Sequence, residues 1–130
     1  MIINEENYVD MAEKAMKELC SAIGKNGKAA PVVTTSKIRN LLSMVSDIYN
    51  DVLNEKNQTL SSAFIGRINY MKIRFYYEAG REPLVKEFLL KAKVLDIIDQ
   101  IGNSRKNFLL FSQYMEALVA FRKFYGKNDD

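Results

Sequence analysis

The chain has 130 residues, the length of one ordinary domain, and 48% of them are apolar, which is enough for a hydrophobic core. Nineteen Lys and Arg against sixteen Asp and Glu give a net charge of +3, which by itself identifies no partner. The chain has no histidine, and Cys20 is its single cysteine, so a His general base, a His-activated nucleophile, a thiolate metal cluster and an internal disulfide are excluded. We therefore expect no enzymatic activity, no cofactor and no metal site.

The composition also indicates where the protein works. The opening residues, MIINEENYVD, are too polar for a signal peptide. A lone cysteine suits a reducing compartment, and no apolar run reaches the ~20 residues that a membrane-spanning helix needs. We expect a cytoplasmic protein with no membrane partner.

Apolar residues recur at steps of three and four in five segments, which is the pattern of amphipathic helices. The segments span about residues 5–23, 34–52, 61–79, 83–101 and 104–125. Helix-capping residues and glycines separate them, and no segment alternates with period two. The predicted fold class is therefore all-α, a single-domain bundle of five helices over residues 1–130, with a loop near 24–34 and a frayed C-terminal tail at 126–130.

The predicted helix ends depend on a few individual residues. Side chains suited to the N-cap occur at Asn4, at 34–36 and at Ser104, and Pro83 is expected at the start of the fourth helix. Glycines are expected to end the helices. These glycines are Gly24, Gly80, Gly102 and Gly126.

The first candidate site is a stripe of arginines on the third segment. Arg67, Arg74 and Arg81 are spaced by seven, so they drift by only about 20° per step and form a line about 20 Å long. We call these three residues the arginine stripe. The segment holds one carboxylate against the three guanidinium groups, so we do not expect their charge to be neutralised locally. Tyr70 and Tyr77 lie beside the stripe, either packed against neighbouring helices, which we favour, or stacked on nucleic-acid bases.

The second candidate site is the start of the second segment. A helix N-terminus attracts anions, and Lys28, Lys37 and Arg39 lie in or just after the preceding loop. Ordinary N-capping by 34–36 with exposed cations is the alternative, and it is compatible with a phosphate contact. With Lys72 from the third segment, this yields one set of predicted RNA-binding residues: Lys28, Lys37, Arg39, Arg67, Lys72, Arg74 and Arg81.

The fifth segment is apolar on most of its faces. A helix of this kind either lies at the centre of the bundle, which we favour, or is used in self-association.

Three stretches carry a family resemblance, namely VTTSKIRNLL (33–42), YYEAGR (76–81) and FLLFSQYMEALVAFRKFYG (108–126). They resemble the small-subunit family of the type III-A CRISPR–Cas (Csm) interference complex, and the resemblance spans roughly residues 30 to 126. It implies a five-helix protein without enzymatic activity, of which several copies stack along the guide RNA–target RNA duplex. The family's motifs imply that Lys37, Arg39 and Arg81 contact RNA, mainly the target-strand backbone, without reading sequence. The implied partners are guide RNA, target single-stranded RNA, the other subunits of the effector and further copies of this chain.

Two other interpretations remain open. A helical protein–protein adaptor with no direct nucleic-acid contact would have its arginine stripe neutralised by acidic helices. A DNA-binding domain has less support, because no pair of segments carries a compact helix-turn-helix signature.

Overall fold

The computed structural model describes residues 1–127 and contains six helices in that range. They are α1 Tyr8–Ser21, α2 Thr35–Leu53, α3 Ser62–Arg81, α4 Pro83–Lys91, α5 Val94–Ile101 and α6 Arg105–Tyr125. The all-helical prediction is confirmed, and the predicted number of five helices is wrong. Residues 128–130 of the predicted frayed tail lie outside the described residues.

The extra helix arises where the fourth predicted segment breaks in two. Lys93 adopts the left-handed conformation, with φ 58° and ψ 29°, and so interrupts the right-handed backbone between α4 and α5. The hydroxyl of buried Tyr114 donates a hydrogen bond of 2.7 Å to the backbone carbonyl of Ala92 just before the break. A carbonyl at a helix end is thereby satisfied inside the protein. The contact comes from α6, so the break depends on tertiary packing.

Capping residues begin three of the helices as expected from their chemistry. The side chains of Thr34, Ser61 and Ser104 each accept a hydrogen bond from a backbone N–H three residues later. Pro83 occupies the first turn of α4, as predicted. Asn4 makes the predicted capping contacts, because its side chain accepts hydrogen bonds from the N–H groups of residues 6 and 7 and its carbonyl accepts one from Tyr8, although the regular helix α1 begins only at Tyr8.

The last helix, α6, lies at the centre of the bundle. It packs against α1, α2 and α5, and its buried residues include Phe108, Phe111, Met115 and Leu118. The central position predicted for the fifth segment is confirmed. None of the helices among residues 1–127 is both long and apolar enough to cross a membrane.

A buried arginine fastens the loop before α2 to the end of α6. Arg122 is only 1% exposed, and its Nε donates a hydrogen bond of 2.6 Å to the backbone carbonyl of Val33. Gly126 lies against this guanidinium group, and its N–H donates to the carbonyl of Arg122. The loop that precedes the second candidate site is thus held in one position.

Candidate nucleic-acid interface

The arginine stripe follows one edge of α3, because the helix continues through Gly80 to Arg81. The prediction that Gly80 ends the helix is therefore wrong, and all three guanidinium groups stay on one line.

The prediction that the stripe is not neutralised locally is also wrong in part. Arg67 pairs with Asp51 of α2 at 2.8 Å, and Glu78 lies 3.6 Å from Arg74 and 3.5 Å from Arg81. Three guanidinium groups share two carboxylates, so the stripe retains an excess of one positive charge.

The tyrosines beside the stripe are exposed, so the favoured prediction that they pack in the core is wrong. Tyr70 is 64% exposed and Tyr77 is 53% exposed. Arg74 and Arg81 lie over the Tyr77 ring at 5.0 and 5.8 Å from its centroid, which is cation–π distance. Within the described part of the chain, none of the cation–ring contacts involves Tyr70, and its 64% exposure leaves the ring accessible to a partner.

A groove of about 550 Å³ separates α2 from the stripe side of α3. We call it the α2–α3 groove; it is lined by Met44, Asp47, Ile48, Ala63, Gly66, Arg67, Tyr70, Met71 and Arg74. Its volume falls within the range of small-ligand pockets. One side of the groove is therefore formed by the residues of the stripe and by the open Tyr70 ring.

The start of α2 keeps its cations at the surface, but its hydroxyl groups are engaged. Thr34 caps the helix by accepting a hydrogen bond of 3.2 Å from the N–H of Lys37, and Thr35 is buried. The Lys37 ammonium group pairs with Glu82 at 3.1 Å, and Glu82 is the residue that follows Arg81 in the chain. The structure therefore brings the start of α2 to the C-terminal end of the stripe. Any phosphate held here would contact cations more than threonine hydroxyls.

The remaining predicted residues occupy different places. Arg39 on α2 and Lys28 in the loop are both exposed. Lys72 lies away from the stripe, because it projects from the other flank of α3 and pairs with Asp99 of α5. The hydrogen bond that Lys72 donates to Asp99 raises the pKa of Lys72, so this lysine stays charged. The structure thus groups Lys37 with the arginine stripe and separates Lys72 from it.

Some neighbours of the stripe can be found in the sequence and others cannot. Glu78, the one carboxylate of the third segment, is close enough in sequence to pair with Arg81, and the structure places it near both Arg81 and Arg74. Asp51 could not be found in this way, because its partner Arg67 lies sixteen residues away on another helix. Gly66 and Asp47, which help to form the groove, carried no signal in a single sequence.

Two further observations concern metal-binding and thiol groups in the described chain. No group of His, Cys, Asp and Glu within residues 1–127 could hold a metal ion. Cys20 is half-buried on α1, and burial raises the pKa of its thiol, which reduces its nucleophilic character at neutral pH. The exposed basic and aromatic edge of α3 therefore remains the most distinctive surface described.

Comparison with known proteins identifies the family. A family model described as Csm2 Type III-A matches residues 8–128. The chain is 41% identical to the "CRISPR system Cms protein Csm2" of Streptococcus thermophilus over 98% of both chains. It is 42% identical to the protein of that name from Enterococcus italicus, over 75% of this chain and 71% of the relative, and 35% identical to the one from Mycobacterium tuberculosis over 99% of both. A match that covers nearly the whole chain shows that the protein belongs to the Csm2 Type III-A family.

Proposed function

We propose that this chain is a non-catalytic structural small subunit of a cytoplasmic type III-A CRISPR effector complex. In that complex it contacts the backbone of the duplex between guide RNA and target RNA without reading sequence. Membership of the Csm2 Type III-A family supports the assembly. The arginine stripe supports the RNA contact and is the observation that carries it. Guide RNA, target RNA, the other subunits and further copies of this chain, as a stack or a dimer, are the proposed partners.

The geometry of the stripe suits a phosphate backbone. Its guanidinium groups recur every seven residues, or about every 10 Å along α3, and arginine binds phosphate oxygens in a bidentate manner. Lys37 extends the positive surface at the Arg81 end. Backbone contacts of this kind give affinity without sequence information, which is what a subunit repeated along any guide requires.

The ion pairs along the stripe do not prevent this role. The side chains of Arg67 and Arg81 are 41% and 53% exposed, and their carboxylate partners lie at the surface or at its edge. Exposed ion pairs contribute only about 0–1 kcal/mol, so a phosphate can displace or share them. Before RNA binds, the carboxylates hold the guanidinium groups in place, which reduces the conformational entropy that these side chains lose when they bind phosphate.

The test is to replace Arg67, Arg74 and Arg81 by alanine together in the full chain, assembled with its complex. We expect weaker retention of target RNA and a loss of roughly three units in the slope of log K against log salt, about one for each phosphate contact. Lys56→Ala, Lys86→Ala and Lys106→Ala together remove the same charge from exposed positions elsewhere and serve as the control. Equal RNA retention in the two triple variants would contradict the assignment of the stripe.

A second function, a helical adaptor without nucleic-acid contact, is favoured by one observation. Five of the seven predicted RNA-binding residues form ion pairs within the chain, as that interpretation requires. Exposed Ile73 and Tyr76 on α3 and Phe124 on α6 would then serve a protein interface. In that case the stripe variant would assemble normally and retain RNA, whereas Ile73→Ser with Tyr76→Ser would fail to assemble.

A further inference from the structure

The α2–α3 groove contains a glycine that the fold does not need. Gly66 lies in the middle of α3, where glycine destabilises a helix by roughly 0.5–1 kcal/mol relative to alanine. A Cβ atom built there would meet nothing within 4 Å, so no neighbour in the chain requires its absence. The missing side chain instead deepens the groove beside Arg67 and Tyr70. The open space over Gly66 is therefore available to a group from outside the chain.

The floor of the groove is apolar and its rim is charged. Met71 is 2% exposed and Ile48 is 4% exposed, so the floor suits a flat, weakly polar group. Arg67 lies at the rim in a fixed position, because Asp51 holds one of its terminal nitrogens and the backbone carbonyl of Asp47 accepts a hydrogen bond of 3.1 Å from the other. A guanidinium group held in this way loses little conformational entropy when an anion at the rim replaces or shares its carboxylate partner.

The two walls of the groove carry opposite charges, which orients a nucleotide in one direction. The carboxylate of Asp47 lines the α2 wall and repels phosphate, but it accepts hydrogen bonds from the N–H groups of a base. Arg67 and Arg74 line the α3 side and attract phosphate. Tyr70 stands between them with its ring open, and an aromatic ring beside basic groups is how single-stranded RNA is held. The base therefore enters the groove and the phosphate stays at the rim.

We infer that the α2–α3 groove binds one unstacked base of single-stranded RNA, against the ring of Tyr70 and over the space left by Gly66. This inference rests on the proposed function, which concerns the sugar–phosphate backbone alone, and adds a base contact at the same edge of α3. Since stacking depends on the face of the base, the contact tolerates every sequence.

The experiment measures binding of the full chain at low salt to fluorescein-labelled oligoadenylate and to an abasic oligonucleotide of the same length. We expect Tyr70→Ala to weaken oligoadenylate binding about 5- to 150-fold, the effect of removing one base–aromatic stack. Tyr70→Phe retains the ring and should bind as the unaltered chain does. Gly66→Leu fills the groove, and we expect a loss similar to that of Tyr70→Ala. Binding of the abasic probe should be unchanged in all three variants.

Two matched controls separate the groove from general effects on α3. Gly80→Leu makes the same substitution at a second helical glycine with open space around it, and Tyr76→Ala removes an exposed ring from another part of the helix. Both should bind oligoadenylate normally. Helix content and the unfolding midpoint of each variant check that it folds.

The outcomes distinguish the inference from the proposed function. If the triple arginine variant binds both probes weakly while Tyr70→Ala and Gly66→Leu bind like the unaltered chain, the backbone contact stands and the base-binding groove is refuted. If the unaltered chain binds neither probe, both fail. If Gly66→Leu instead changes the sedimentation of the chain without altering RNA binding, the groove holds a second copy, and the inference is overturned.

Discussion

Replacement of Gly126 by alanine tests whether the buried arginine at the end of α6 holds the protein together. The Cβ atom of an alanine would lie 1.6 Å from the Nη1 atom of Arg122 and 2.6 Å from its carbonyl oxygen, so the guanidinium group must move. Arg122 is 1% exposed and its Nε is bonded to the Val33 carbonyl, so displacement of the guanidinium group strains or breaks that bond even though a neighbouring cavity of about 410 Å³ offers it space. The substitution should therefore break the link between α6 and the loop before α2.

The magnitude follows from two opposing effects. A hydrogen bond from a charged group contributes about 1.5–3 kcal/mol, and its loss lowers the free energy of unfolding. Alanine restricts the unfolded chain and raises that free energy by about 0.4–1 kcal/mol, because the φ of −79° at Gly126 is open to any residue. The net result is a loss of about 1–2 kcal/mol, or a decrease in the unfolding midpoint of roughly 3–8 °C for a domain of this size.

Thermal and urea unfolding followed by circular dichroism measure this loss. Gly80→Ala is the control, because its Cβ atom meets nothing within 4 Å and the substitution should stabilise α3 by about 0.5–1 kcal/mol. In an Arg122→Ala background, most of the destabilisation by Gly126→Ala should disappear, since the side chain with which it collides is gone. A Gly126→Ala variant as stable as the unaltered chain would refute the role assigned to Arg122.

Three further predictions follow from single residues. Lys93→Gly should raise the free energy of unfolding by about 0.5–1 kcal/mol in urea titrations, because glycine adopts φ 58° without strain, and no gain would mean that Lys93 is not strained. Tyr114→Phe should lower it by about 1–3 kcal/mol, since a buried carbonyl loses its hydrogen bond. Burial raises the pKa of Tyr114 to about 12, from 10 in the unfolded chain, so its contribution is complete below pH 10 and decreases as the pH rises toward 12. The phenylalanine variant should lack that alkaline decrease, and an identical pH profile would contradict the burial. Lys72→Ala should weaken RNA binding less than Arg74→Ala does, because Lys72 pairs with Asp99 away from the stripe, and equal losses would place RNA on both flanks of α3.

The exposure of the α3 tyrosines shows that a helical wheel predicts the position of a side chain around its helix but not its burial. The wheel placed Tyr70 and Tyr77 beside the arginine stripe, and the structure agrees. Whether another helix covers a ring depends on how the chain returns, and α2, which lies across the groove from Tyr70, leaves that side chain 64% exposed. A residue's position around a helix is a local property, whereas its burial is not.

The sequence by itself determined the helical class, most of the helix starts and the absence of common catalytic groups, because these depend on residue type and on spacings within one or two turns. Tertiary structure decided the break at Lys93, since the apolar spacing of the sequence continues through this residue. At the break, the backbone carbonyl of Ala92 accepts a hydrogen bond from Tyr114 of α6, a contact that exists only in the folded protein. Tertiary structure also decided which cations are paired. The partners Lys37 and Glu82 lie 45 residues apart, and no local pattern brings them within 3.1 Å of each other. Charges separated along the chain meet only once the helices have packed, so the final electrostatic surface of the α3 edge is a property of the folded bundle.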